Sequence, residues 1–160
     1  MKNGFTLIEL LVVITIVLLI TTIGIAYYNQ NNQELSLRTE AKKLVDIIEL
    51  AKKKAQSSDL ITTPNPTPSY CSNFTGYSVN LTTSGYTLNY LCNNTTTVNT
   101  YSFPTNISYT GNTYDFIFPP LGRGTNITTN TITLINTIIN KHIDITISNN
   151  GIIQITDTLY

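Results

Sequence analysis

The spacing of apolar residues along this chain changes from continuous, to helical, to alternating. Positions 5 to 25 form a nearly unbroken apolar run whose polar members are Thr6, Glu9, Thr15, Thr21 and Thr22. About 20 such residues, at a rise of about 1.5 Å each, match a hydrocarbon core about 30 Å thick, so the run predicts a membrane-length helix. Beyond it, Leu37, Ala41, Leu44, Ile48, Ala51 and Ala55 recur at alternating intervals of four and three, a heptad-like stripe widened by Val45 and Ile47. Arg38, Lys42, Lys43, Glu49, Lys52 and Lys53 fall largely outside that stripe. The first proline is Pro64, and the pattern predicts one helix over 5–57, roughly 80 Å long. Its first half faces lipid or neighbouring subunits; its second half offers one stripe to a globular domain. Gly24 and Asn29-Gln30-Asn31-Asn32-Gln33 are its weak places, because Gly disfavours helix and Asn competes for the backbone, so a bend or partial melting is expected there.

Pro64, Pro66 and Pro68 make 58–75 a loop. Short alternating runs follow. Tyr77-Ser78-Val79-Asn80-Leu81 and Tyr86-Thr87-Leu88-Asn89-Tyr90-Leu91 flank Thr82-Thr83-Ser84-Gly85 and read as a hairpin. Further strands are predicted at 101–103, 107–109, 114–118, 131–135, 143–147 and 152–155. Asn149-Asn150-Gly151 joins the last two and is the strongest hairpin signal in the chain. The fold class is therefore α+β, a long helix packed on antiparallel sheet, with the β-rich domain spanning 76–160.

Charge sharpens this division. Lys2, Arg38, Lys42, Lys43, Lys52, Lys53 and Lys54 all precede residue 60, whereas beyond it only Arg123, Lys141, Asp115, Asp144 and Asp157 are charged. A domain this poor in cations offers no basic patch of the kind that binds phosphate backbones. Its single His142 lies in a strand pattern, no metal-ligand spacing occurs, and nothing calls for a cofactor or a catalytic constellation. Cys71 and Cys92 are the only cysteines, and both readings, a disulfide or two buried thiols, are open, with export favouring the bridge.

Export follows from the N-terminus. Lys2 is the only charge before the apolar run, which keeps the short N-terminus cytoplasmic and sends everything after 25 across the membrane. A secretory signal peptide places its small-residue cleavage site after the apolar run; here the small residue, Gly4, comes before it. Cleavage at Gly4 leaves the helix on the mature protein, with a new amine on Phe5. That amine lies four residues from Glu9, on the same helix face. A carboxylate this deep in an apolar helix costs roughly 2.5–3.5 kcal/mol on insertion scales, so Glu9 is expected to have a partner or to sit near an interface.

Gly4-Phe5-Thr6-Leu7-Ile8-Glu9 followed by Leu10-Leu11-Val12-Val13-Ile14 resembles the processing motif of type IV pilins and type II secretion pseudopilins. The resemblance implies a leader of residues 1–4, removed by an aspartyl prepilin peptidase between Gly4 and Phe5, N-methylation of Phe5, and Glu9 as the assembly carboxylate. It implies a non-enzymatic subunit held in the cytoplasmic membrane through 5–25. Its partners would be other pilins or pseudopilins, the peptidase, the inner-membrane assembly platform and membrane lipid, and its destination a filament in the periplasm or on the cell surface. The stretch from Glu40 to Ala55 and the segment Phe116-Ile117-Phe118-Pro119-Pro120-Leu121-Gly122-Arg123-Gly124 are similar to H-type minor pseudopilins and related minor pilins. Some of those relatives bind DNA through a basic C-terminal region, so a DNA-binding minor pilin of an uptake system is the rival reading. The C-terminal Ile155-Thr156-Asp157-Thr158-Leu159-Tyr160 carries no cation, which counts against it.

Overall fold

The fold was established from a computed structural model, which describes residues 6–58, 71, 73–111, 113–122, 124–127 and 129–156, with the side chains of all of these but 22–24, 26 and 129. One α-helix, α1 (Leu7–Gln56), leads into eight strands: β1 (Phe74–Thr82), β2 (Gly85–Cys92), β3 (Asn94–Ser102), β4 (Ile107–Thr110), β5 (Tyr114–Phe118), β6 (Thr129–Asn136), β7 (Lys141–Ser148) and β8 (Ile153–Thr156). The α+β class is as the alternation pattern predicts. The strands, however, divide into two four-stranded antiparallel sheets, ordered β3-β2-β1-β5 and β4-β6-β7-β8, where the sequence suggested a single layer.

The heptad-like stripe explains how one helix serves both sheets. Leu37, Ala41, Leu44, Ile48, Ala51 and Ala55 are all buried, against Tyr77, Val79, Leu81, Leu88, Phe116 and Phe118 of the first sheet and Ile132, Leu134, Ile143, Ile145 and Ile147 of the second. Three of the stripe positions are alanine, which lets the backbones of both sheets approach the helix. The two leucines and Ile48 fill the space between, each burial worth roughly 1.5–3 kcal/mol. The stripe begins at Leu37, and N-terminal to it every described apolar side chain of the helix is exposed. The domain therefore grips only the C-terminal half of α1.

The strands run along the helix. Lys52 donates to the Gly151 carbonyl at 2.7 Å in the β7–β8 turn, while Asn136 at the far end of β6 donates to Gln33. Both hairpin readings are realised: Leu81 pairs with Tyr86 across Thr83-Ser84, and Asn149-Asn150-Gly151 turns with the Gly151 N–H donating to Ser148 O at 2.8 Å. Gly151 sits at φ +74, which glycine adopts without a Cβ clash. The edge of β5 is covered by Asn126, whose Oδ1 accepts from the Ile117 N–H at 2.9 Å and whose Nδ2 donates to Asp115 O at 3.1 Å.

Two expectations change. The helix is unbroken through Gly24 and Asn29–Gln33, without the predicted melting, because tertiary hydrogen bonds described below hold Gln33. Strand β3 covers Asn94–Ser102, of which only its end was expected. The Pro-rich segment lies almost wholly outside the described residues.

Candidate functional site

The helix N-terminus carries the chemistry. Thr6 has extended backbone (φ −79, ψ 149) and caps α1. Its N–H donates to Glu9 Oε2 at 2.9 Å, its hydroxyl donates to the same oxygen at 2.8 Å, and the Glu9 N–H donates to Thr6 Oγ1 at 3.4 Å. This reciprocal arrangement is a capping box, in which side chains satisfy backbone donors that the helix leaves unpaired. Glu9 is exposed, as are Leu7, Ile8, Leu10, Leu11, Val12 and Val13 around it, and none of the described strands covers them. A carboxylate and its flanking apolar surface are thus displayed together, open to another molecule. Gly4 and Phe5 lie outside the described residues.

Among the described residues, no helical stretch is both long and apolar enough to cross a membrane. The described side chains run without interruption only from Thr6 to Thr21, at most about 24 Å of helix. The full apolar run to Ile25 includes four side chains outside that description.

A second cluster, not foreseen from the sequence, sits where the helix enters the domain. Gln33 Oε1 accepts from Asn136 Nδ2 at 3.1 Å and from Asn106 Nδ2, and its carbonyl accepts from Asn136 Nδ2 at 3.3 Å. Next to it, Lys141 Nζ donates to Glu34 Oε1 at 2.8 Å, and that hydrogen bond holds the Glu34 carboxyl below its usual range. These contacts join α1 to the loop before β4, the end of β6 and the start of β7. The one available signal was position: Gln33 precedes Leu37 by four residues and so continues the buried stripe by one turn.

Cys71 and Cys92 are joined by a disulfide with a Cα–Cα separation of 5.7 Å, which ties the segment before β1 to the end of β2. His142 lies in β7 opposite Ile135. Lys43 bonds Glu40 at 2.6 Å beside the core. Burial, followed by the negative field of Glu40, pushes the Tyr86 phenol up to about 12. Among the described residues no group of His, Cys, Asp or Glu is placed to hold a metal.

Neither a curated protein nor a solved structure matches this chain. Residues 1–25 match the family model described as the prokaryotic N-terminal methylation motif. That match covers the N-terminal segment alone and supports a pilin- or pseudopilin-type N-terminus.

Proposed function

We propose that this chain is a non-enzymatic minor subunit of a type IV pilus or a type II secretion pseudopilus, cut after Gly4 and N-methylated on Phe5. The observation that carries the proposal is that the methylation motif at residues 1–25 overlaps a helix whose described side chains from Thr6 to Thr21 the domain leaves uncovered. The precursor sits in the cytoplasmic membrane through 5–25 with its N-terminus inside, and the trimmed helix is then withdrawn into a filament. There the exposed apolar half packs against other subunits, with the β domain of 76–160 outside. Glu9 pairs with the Phe5 amine of its own or a neighbouring chain, so that only correctly staggered subunits satisfy both charges. On the H-type resemblance, its position would be in an initiating or tip complex.

Mass spectrometry of the membrane-extracted protein tests the processing step. The expected mature chain begins at methylated Phe5; an intact Met1, or a cut beyond Ile25, sinks the reading. Glu9→Gln tests assembly. It should insert and be processed, yet co-purify with filament partners far less than wild type, and wild-type co-purification would remove the charge pairing.

A further inference from the structure

The turn between β6 and β7, Thr137-Ile138-Ile139-Asn140, follows directly on Asn136, where the domain meets the helix at Gln33. Strand β6 descends alongside the helix to Asn136, which is bonded to Gln33. The chain then continues beyond that level. At about 3.3 Å per residue, Ile138 lies up to about 7 Å further toward the membrane half. That distance equals about five residues of helix at about 1.5 Å each, so Ile138 reaches at most to the level of Tyr28. If the hydrocarbon core ends near Ile25, Tyr28 stands about 4.5 Å outside it, within a headgroup layer roughly 5–7 Å deep.

The composition of the turn fits that place. Turn tips favour Gly, Pro, Asn, Asp and Ser, and the β1–β2 and β7–β8 turns present Thr83-Ser84 and Asn149-Asn150. Here the tip is isoleucine, and Ile138 is 65 % exposed. Tyr27 and Tyr28, 68 % and 66 % exposed, occupy the same level on the helix, as aromatic residues do at membrane–water interfaces. The tip is also held in place. Asn136 Oδ1 accepts from the Ile138 N–H at 2.9 Å and the Ile139 N–H at 3.4 Å, and the Thr137 N–H donates to Asn106 O at 2.9 Å. The same Asn136 side chain thus fixes the turn with one end and grips the helix with the other. Lys141, next to the turn, is engaged by Glu34, so the tip carries no charge, with Ile138 exposed between the polar Thr137 and Asn140.

We propose that the β6–β7 turn inserts Ile138 into the headgroup layer of the bilayer that holds the helix, so that the domain stands on the membrane at Ile138 and at Tyr27 and Tyr28. The inference rests on the membrane-anchored reading above. Its occupant is a lipid surface recognised by apolar contact, without a requirement for anionic headgroups. The contact fixes which way the domain faces around the helix axis before the subunit is withdrawn from the membrane.

The chain contains no tryptophan, so a single introduced one reports its own surroundings. Full-length Ile138→Trp and Ile152→Trp are reconstituted separately into phosphatidylcholine vesicles. Ile152 is also exposed but sits beside Gly151 at the level of Lys52, about 36 Å along the helix from Tyr28. The expected result is blue-shifted emission for Ile138→Trp and roughly twofold stronger quenching by lipid brominated near the carbonyl end of its chains, as for an aromatic group at the membrane–water interface. Equal quenching of the two variants, with the protein retained through an alkaline carbonate wash, overturns the turn contact and leaves the anchor standing. Release by carbonate overturns the anchor and the contact together. A need for anionic lipid before Ile138→Trp is quenched overturns the apolar account.

Discussion

The Asn136–Gln33 cluster should decide whether the Asn-rich stretch of α1 stays helical. Asn136 is fully buried and makes contacts of 3.1 and 3.3 Å to Gln33 and 2.9 Å to the Ile138 N–H. At a net value of about 0.5–1.5 kcal/mol for each intramolecular hydrogen bond, and with water able to reach the exposed turn, Asn136→Ala should cost about 2–3 kcal/mol. Gln33→Ala removes the Oε1 acceptor but leaves the backbone carbonyl, so it should cost about 1–2 kcal/mol. The side chains share only the 3.1 Å bond, and the double variant should therefore fall short of the sum by about 1 kcal/mol. Urea unfolding of a truncated chain beginning near Asn29, which should be soluble and fold as helix plus strands, measures all of these. Hydrogen exchange supplies a local readout, since amides at 29–33 should lose protection in Asn136→Ala. Strictly additive losses, or unchanged protection at 29–33, would refute the claim that this cluster overrides the weak helix propensity of the stretch.

Three other outcomes follow from the domain itself. Ser78 Oγ is buried with no hydrogen-bond partner among the described residues, so Ser78→Ala should raise stability by about 1 kcal/mol; a lower melting temperature would contradict this. Reducing the Cys71–Cys92 bridge, whose ends are 21 residues apart, should lower stability by about 3 kcal/mol through loop entropy, as read by urea unfolding with and without reductant. The Tyr86 phenol is raised from 10.0 to about 12 in the folded chain, so the folded state holds its proton more tightly than the unfolded state. That stabilisation is complete below pH 10 and is lost as pH rises toward 12, and Tyr86→Phe should flatten the alkaline limb of a stability–pH curve.

What the sequence revealed depended on how local each signal was. The stripe from Leu37 to Ala55 was legible because a helix face repeats at a fixed interval, and all six of its members are buried. The Asn149-Asn150-Gly151 turn was legible because its backbone demands those residues. Strand β3 was not, since Asn94–Ser102 is exposed along nearly all its length and lacks apolar alternation. Pairing with β2 makes it a strand, with the register broken between Leu88 and Asn89. The division into two sheets was equally hidden, because alternation states which face of a strand is buried and not which neighbour it pairs with. Gln33, Asn106 and Asn136 lie far apart in the chain, and no period links them.

Glu9 holds the helix end through Thr6, and on the proposed function it takes a charged partner in another setting. Within the chain its carboxylate accepts from the Thr6 N–H and the Thr6 hydroxyl, both neutral donors. On the proposed function, cleavage after Gly4 adds a cationic donor one residue away, on Phe5. Charge-assisted hydrogen bonds are roughly twice as strong as neutral ones, and the difference widens where water is excluded and the effective dielectric constant falls. In a solvated or headgroup setting the capping box therefore competes well. Within a packed bundle of helices the amine wins, and the carboxylate passes from helix cap to ion pair. This is why Glu9→Gln separates the two roles better than Glu9→Ala. Glutamine at the third helical position can keep the capping box, so helix integrity survives while the charge is lost. A defect in that variant then belongs to assembly and not to a frayed helix end.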